Sequence, residues 1–259
     1  MRSLGSVTLW GPVAVFIGVV GIWQVGVIHA IFGFQTFTLP YPSAIVEGFP
    51  ETAPRLAEAV AQTVPAAVIG YLVAMGLGLG IAAGLVLYAP AAAQRVVGVL
   101  ASANALPIAA VAPLLALWVG GGFHLKVMVV TVMCTPTMIV YGVRGLLNVD
   151  PVSLELMASY EARPVTVFRA VRVPNSLPFV LTAMKSCVVL ALIGAIVTEV
   201  VIGFQGLGFL IVESLGAFRT VTGWLALLTN AALGIGWYLL IVLLERYVVP
   251  WEAAARRGS

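Results

Sequence analysis

The sequence predicts an all-α integral membrane protein, and three observations carry that prediction. Of its 259 residues, 61% are hydrophobic and only 9% are charged, whereas ordinary soluble domains carry about 25% charged residues. The mean hydropathy is +1.10. The apolar residues also fall in runs of about 20 or more, the length an α-helix needs to cross a ~30 Å hydrocarbon core. Short polar intervals rich in Pro and Gly separate these runs. There is no internal repeat and no low-complexity segment, so residues 1–259 read as one transmembrane domain of about six helices.

The first run, Leu9–Phe34, carries no charge. It is too long for the h-region of a signal peptide and lacks a clean small-residue cleavage site, so it reads as a membrane helix. The stretch from Thr36 to Pro65 holds Glu47, Glu51, Arg55 and Glu58 among several prolines, which marks an external connection with one or two short interfacial helices. Pro65–Tyr88 is the second span. Its Gly76, Gly80 and Gly84 repeat every fourth residue, a small-residue ladder of the kind that lets helices approach closely in lipid.

The third span, Val96–Val119, contains Pro107 and Pro113. Each proline removes a backbone hydrogen bond and bends the helix. In lipid the freed carbonyls need neighbours or a wet cavity, and broken helices at mid-membrane point to a transport path. A merely kinked packing helix is the other reading. Gly120-Gly121-Gly122 turns the chain into the fourth span, Leu125–Val143, with Pro136 inside it.

Residues 150–178 form the longest polar interval. Asp150-Pro151 reads as a helix start, an N-cap acceptor followed by a residue that tolerates the first turn. Leu154, Met157 and Ala158 place an apolar stripe on this short helix. Arg163-Pro164 breaks it, because the residue before proline is pushed out of the helical region. A second short helix carries Val165, Phe168 and Val171 on one side and Arg169 and Arg172 on another; Pro174 ends it, and Asn175 or Ser176 caps the next apolar helix. The pair looks like a docking platform. Leu177–Gly203 is the fifth span, with Lys185 and Glu199, and a Gly-rich outer connection leads to the last, Trp224–Leu244.

Six spans put both ends on one side. That side holds Arg2, Arg95, Arg144, Arg163, Arg169, Arg172, Arg246, Arg256 and Arg257, against Arg55, Lys126 and Arg219 on the other. This positive-inside bias places the platform and both termini in the cytoplasm. The net charge of +3 is too small and scattered to suggest nucleic acid. Cys134 and Cys187 fall inside apolar runs and read as free, buried thiols. His29 and His124 are isolated from other ligand-type residues, which argues against a metal site.

The chemistry this chain can perform is narrow. Its only lysines are Lys126, followed by Val127, and Lys185, preceded by Met184. Neither sits in the Gly-x-x-x-x-Gly-Lys-[Ser/Thr] cradle that holds nucleotide phosphates, so ATP hydrolysis would belong to a separate subunit. No nucleophile elbow, zinc-protease motif or paired-carboxylate arrangement appears, so the chain does not read as an enzyme. Secondary carriers typically couple ions through several intramembrane acids or histidines. Only Glu199 lies clearly within a span, which argues against an ion-coupled secondary transporter, and the broken third helix and platform argue against an inert scaffold or sensor.

Four stretches resemble one family. Glu155, Ala158 and Val171-Arg172-Val173-Pro174 resemble the EAA loop of ABC-importer permease subunits, with Glu155 and the Pro174 register matching. The family's second and third positions are Leu156 and Met157 here, and its usual glycine, which would permit φ > 0, is Glu161. Leu39–Ser43 (LPYPS), Leu106–Gly122 and Thr198–Gly208 resemble motifs of the nitrate, sulfonate, taurine and pyrimidine-precursor branch. The resemblance covers residues 38–251 and implies a type I ABC-importer fold in a bacterial inner membrane. It further implies a second permease copy in a homodimer, two cytoplasmic ATPase subunits that bind ATP and Mg, an external solute-binding protein, and no cofactor in this chain. The coupling loop to the ATPase would comprise Glu155, Met157, Ala158, Glu161, Arg163, Phe168 and Pro174.

Glu199 sits fourteen residues beyond Lys185, or ~21 Å along a helix, in the outer half of the membrane. Its own-helix neighbours Leu192, Ala195 and Ile196 cannot pair it. Intramembrane acids are costly and usually face a bundle interior or wet cavity. A translocation path is therefore expected along Asn104, Pro107, Pro113 and Glu199, with Asn104 and the carbonyls freed by the prolines as the facing wall. A buried hydrogen bond bracing the outer gate is the alternative.

Overall fold

A computed structural model describes residues 4–103, 107–203 and 205–250. It is helical throughout its regular structure, in the order α1 Leu4–Gln24, α2 Val27–Phe32, α3 Pro42–Glu47, α4 Phe49–Tyr88, α5 Pro90–Ala103, α6 Ile108–Val119, α7 Phe123–Leu147, α8 Pro151–Ser159, α9 Pro164–Val167, α10 Val173–Ile202, α11 Leu207–Gly216 and α12 Thr220–Val248. Among the described residues four helical stretches are long and apolar enough to cross a membrane: Phe49–Tyr88, Phe123–Leu147, Pro164–Ile202 and Thr220–Val248.

The other two expected spans are interrupted. The first breaks at Gly26, which adopts φ 82 as the N-cap of α2. The third divides into α5 and α6, and Pro107 is the extended N-cap of α6, with φ −71 and ψ 105. Pro113 is accommodated within α6 rather than ending it. The second span is longer than expected. Pro50 sits at the very start of α4, where an N–H has no helical partner to lose, so the helix begins at Phe49 and absorbs most of the predicted external connection.

The core is α4, α7 and α10. Buried Ala67, Tyr71 and Ala74 meet Val130, Cys134 and Met138 and then Leu181, Cys187 and Val188 in one cluster. Both cysteines are free, as expected. The close approach of α4 to α7 does not use the predicted glycine ladder. A Cβ on Gly76, Gly80 or Gly84 would meet nothing within 4 Å, whereas one on Gly78 would come within 2.5 Å of the Met138 Cβ, and one on Gly70 within 2.7 Å of the Val127 carbonyl. Gly70, Ala74, Gly78 and Ala82 form the packed face, two residues out of register with the stripe that periodicity alone suggests.

Pro174 does not end a helix either. The chain is helical without a break from Pro164 to Ile202, through a π-turn over Phe168–Arg172 in which Val173 N–H donates to the Phe168 carbonyl five residues back. A proline ring clashes with the carbonyl four residues before it, and the widened turn makes room for that clash. Asn175 and Ser176 therefore cap nothing. The Asn175 amide donates to the Asn148 carbonyl at the end of α7, and the Ser176 hydroxyl to the Val173 carbonyl.

Candidate functional site

Two groupings stand apart from ordinary core packing, one at each end of the α10 rod. The first is the platform. The Asp150 side chain accepts from the Val152 N–H and starts α8, with Pro151 in the first turn. Arg163 is extended, with φ −62 and ψ 146, and Pro164 opens α9. No residue of α8, α9 or the π-turn is buried. Of the expected stripe, Leu154 and Met157 are half-buried and Ala158 is exposed; Phe168 packs against the Ile139–Val143 cluster while Val165 stays exposed. Glu155, Glu161, Arg163 and Pro174 all face outward. Arg172 ties the platform to α7 by donating to the Leu146 carbonyl at 2.9 Å.

The C-terminus of α8 is a Schellman motif. Glu161 N–H donates to the Ala158 carbonyl at 2.9 Å, and Ala162 N–H to the Met157 carbonyl at 3.1 Å. That motif needs a left-handed residue, and Glu161 supplies it with φ 50. The position that the motif reserves for glycine thus keeps the glycine conformation while carrying a glutamate.

The second grouping is centred on Glu199, only 1% exposed. Its carboxylate accepts from Lys126 Nζ at 3.0 Å and from Gly208 N–H at 2.9 Å. Thr63 Oγ1 stands 2.8 Å from one carboxylate oxygen and 3.0 Å from the other. Lys126 also donates to the Gln62 carbonyl at 2.8 Å and is 6% exposed. Thr63 Oγ1 in turn accepts from Leu207 N–H at 2.9 Å. One carboxylate therefore joins α4, α7, α10 and the start of α11. Paired and hydrogen-bonded on both oxygens, it meets the condition under which a buried charge is tolerated.

Among the described residues Glu199 is paired from α4, α7 and α11. Asn104 lies outside the described residues, and the partners are Thr63, Lys126 and Gly208 rather than the carbonyls near Pro107 and Pro113. Lys126, counted on the outer side at the start of the fourth expected span, is buried in the protein. Within the expected Gly-rich outer connection, Leu207–Gly216 is apolar enough to form a helix between Gly206 and Ala217.

The LPYPS stretch also finds its role here. The His29 ring sits 2.7 Å (Nε2) from the Leu39 carbonyl and packs tilted against Tyr41 with centroids 4.5 Å apart. Gln24 pairs twice with Ser43, accepting from its N–H and donating to its hydroxyl, both at 3.0 Å. The motif staples α1 and α2 to α3.

Residues 76–252 match the family model described as binding-protein-dependent transport system inner membrane component. The chain belongs to that family. It is the membrane-spanning permease subunit of an ABC importer, and ATP hydrolysis lies in partner subunits rather than in this chain. The permease is 35% identical over 161 residues to the riboflavin transport system permease protein RibX of Chloroflexus aurantiacus, a match covering 62% of this chain and 60% of that protein. It is 29% identical to the formylaminopyrimidine transport permease protein ThiX of Halalkalibacterium halodurans, over 93% of this chain and 95% of that protein. Among solved structures it resembles an inward-facing conformation of the MetNI methionine ABC transporter, with a TM-score of 0.63, 17% identity and coverage of 78% of this chain and 99% of that one. That likeness shows the type I importer fold. An ion-coupled secondary carrier is set aside by the same findings.

Proposed function

We propose that this permease works as a homodimer, carrying a small solute inward from an external binding protein while two ATPase subunits bind Mg-ATP on the platform side. The observation that carries the reading is the platform itself. A capped helix, an extended Arg163 and a π-turned helix stand at one end of the bundle with no buried residue of their own, joined without interruption to α10. Backbone order without burial is the form a docking surface takes. Glu155, Met157, Ala158, Glu161, Arg163, Phe168 and Pro174 are its contact set, with the platform and both termini cytoplasmic by the basic-residue bias.

The break between α5 and α6 supports the translocation path past Pro107 and Pro113. Leu117 and Trp118 on α6 are 81% and 78% exposed, an apolar face suited to the second copy. Vitamin-like heterocycles carried by the relatives above are the solute class to test first. Glu155→Lys tests the docking claim. Losing a charged contact at an interface costs about 2–5 kcal/mol, so the variant should insert normally yet lose ATPase co-purification or uncouple hydrolysis from uptake. Unchanged complex stability and unchanged transport would sink the claim.

A further inference from the structure

We infer that α11 is a lid over the end of the bundle opposite the platform, and that the Glu199 carboxylate is the latch that holds it shut. This rests on the permease reading above but concerns residues that reading leaves unused.

Three observations place the lid. First, α11 is bounded at both ends by left-handed residues, Gly206 with φ 112 and Phe218 with φ 57. Phe218 takes that conformation as the C′ residue of a Schellman cap, its N–H donating to the Leu215 carbonyl at 3.2 Å and the Arg219 N–H to the Ser214 carbonyl at 2.8 Å. Second, the N-terminal N–H groups of α11 are held by side chains rather than by solvent. Gly208 N–H bonds to Glu199 directly, and Leu207 N–H bonds through the Thr63 hydroxyl. That hydroxyl has one proton and lies closer to Glu199 Oε1, at 2.8 Å, than to the Ala59 carbonyl, at 3.1 Å. It therefore relays the positive end of α11 onto the carboxylate, in the direction the helix dipole favours. Third, the fit leaves no slack. A Cβ on Gly206 would lie 2.0 Å from Glu199 Oε1, and one on Gly208 would lie 2.5 Å from the Ile196 carbonyl.

Toward its other end α11 buries Leu210 and Ser214, and its charged contacts there are exposed. Glu213 pairs with Arg55 at 2.6 Å and Arg219 at 2.8 Å, with all three side chains partly exposed. Exposed ion pairs contribute little, and salt screens them. A lid with one buried, dry latch and one exposed, wet latch opens first at the wet end, about the hinge at Gly206. Lys126 keeps the carboxylate paired when the lid is released. Lifting α11 strips the Gly208 N–H from the carboxylate and the Leu207 N–H from Thr63 but leaves the Lys126 and Thr63 bonds to Glu199 in place, so the unlatched state does not strand a lone buried charge.

In this account Glu199, Lys126 and Thr63 are positioning residues that do not touch the solute. Leu210, on α11 and 4% exposed, reports the lid. Cys134, buried between α7 and α10, reports the core. In the assembled transporter in proteoliposomes, L210C alone and Cys134 alone are labelled from outside with an impermeant maleimide. E199Q and T63V should each speed L210C labelling about tenfold or more, the effect of losing a hydrogen bond to a charged group, and G206A should do so because its Cβ would overlap the Glu199 carboxylate. T63S, which keeps the hydroxyl, should restore the slow rate, and K126M/E199Q should recover assembly relative to K126M. Cys134 should stay unreactive throughout. The latch is overturned if L210C labels at the parental rate in E199Q and G206A, and all the more if E199Q then raises the uptake KM, which would make Glu199 a solute ligand. It is equally overturned if Cys134 and L210C become reactive together, which would make the cluster a general fold brace. ATPase co-purification, read in the same preparations, separates failure of the latch from failure of the permease reading.

Discussion

Replacing Glu161 by glycine should strengthen the platform. Glu161 is the left-handed residue of the α8 Schellman cap, with φ 50, and both cap hydrogen bonds run through it or its neighbour Ala162. Its side chain is exposed and makes no hydrogen bond or ion pair among the described residues. Nothing is lost from the folded chain when the carboxylate goes. A left-handed L-residue costs about 1 kcal/mol relative to glycine, and 1 kcal/mol is about a fivefold change in an equilibrium. In Glu161→Gly the amides of Glu161's position and Ala162 should exchange with solvent about fivefold more slowly, measured by hydrogen exchange on the isolated permease in nanodiscs. Glu161→Val, β-branched and poorly tolerated at positive φ, should exchange faster than the parent. Equal exchange in the Gly and Val variants would refute the backbone account. Slower exchange in Glu161→Gly together with reduced coupled uptake would show that the ATPase uses the carboxylate itself.

Gly78→Ala should destabilise the bundle by about 1–3 kcal/mol, the usual cost of overpacking, because its Cβ would meet Met138 at 2.5 Å, while Gly76→Ala, with nothing within 4 Å, should be neutral; thermal unfolding in detergent distinguishes them. Lys185 pairs with Glu245 at 2.9 Å, with side chains 18% and 21% exposed, and joins α10 to α12. Lys185→Met should cost about 1–3 kcal/mol, and Lys185→Met/Glu245→Gln should recover part of it, which a double-mutant cycle on the unfolding midpoint reads. In a background without Cys134 and Cys187, cysteines at Glu51 and Arg163 should label from opposite sides of the membrane with an impermeant maleimide. Labelling from the same side would overturn the topology.

The sequence was most legible where a single residue type dictates the outcome. Asp150-Pro151 starts a helix and Arg163-Pro164 breaks one because capping and proline sterics act within a turn. Run length identified the long spans for the same reason. Legibility ended where a choice depends on what lies across the interface. Gly76-Gly80-Gly84 and Gly70-Ala74-Gly78-Ala82 are both small-residue stripes on one helix, and only the position of α7 decides between them. Pro174 carries every local signal of a helix end, yet a π-turn absorbs it, because docking of Asn175 and Arg172 on the end of α7 holds the chain in line. Glu199 announced that it needed a partner. It could not announce Lys126, seventy-three residues away, since a lysine beside a glycine turn reads equally well as a loop cation.

The uninterrupted helix changes what a platform movement can do. Two short helices ending at Pro174 would be free to shift while the spans stayed still. A 39-residue helix from Pro164 to Ile202 is a rod ~58 Å long, with the platform at one end and Glu199 one turn from the other. A tilt imposed at Phe168 is carried to the carboxylate as displacement rather than lost in a hinge. The core clusters fix the fulcrum, since Leu181, Cys187 and Val188 are packed without space against α4 and α7. Displacing Glu199 shifts the carboxylate that accepts from the Gly208 N–H, and with it the start of α11. The two groupings at the ends of α10 are thus joined by one continuous helix.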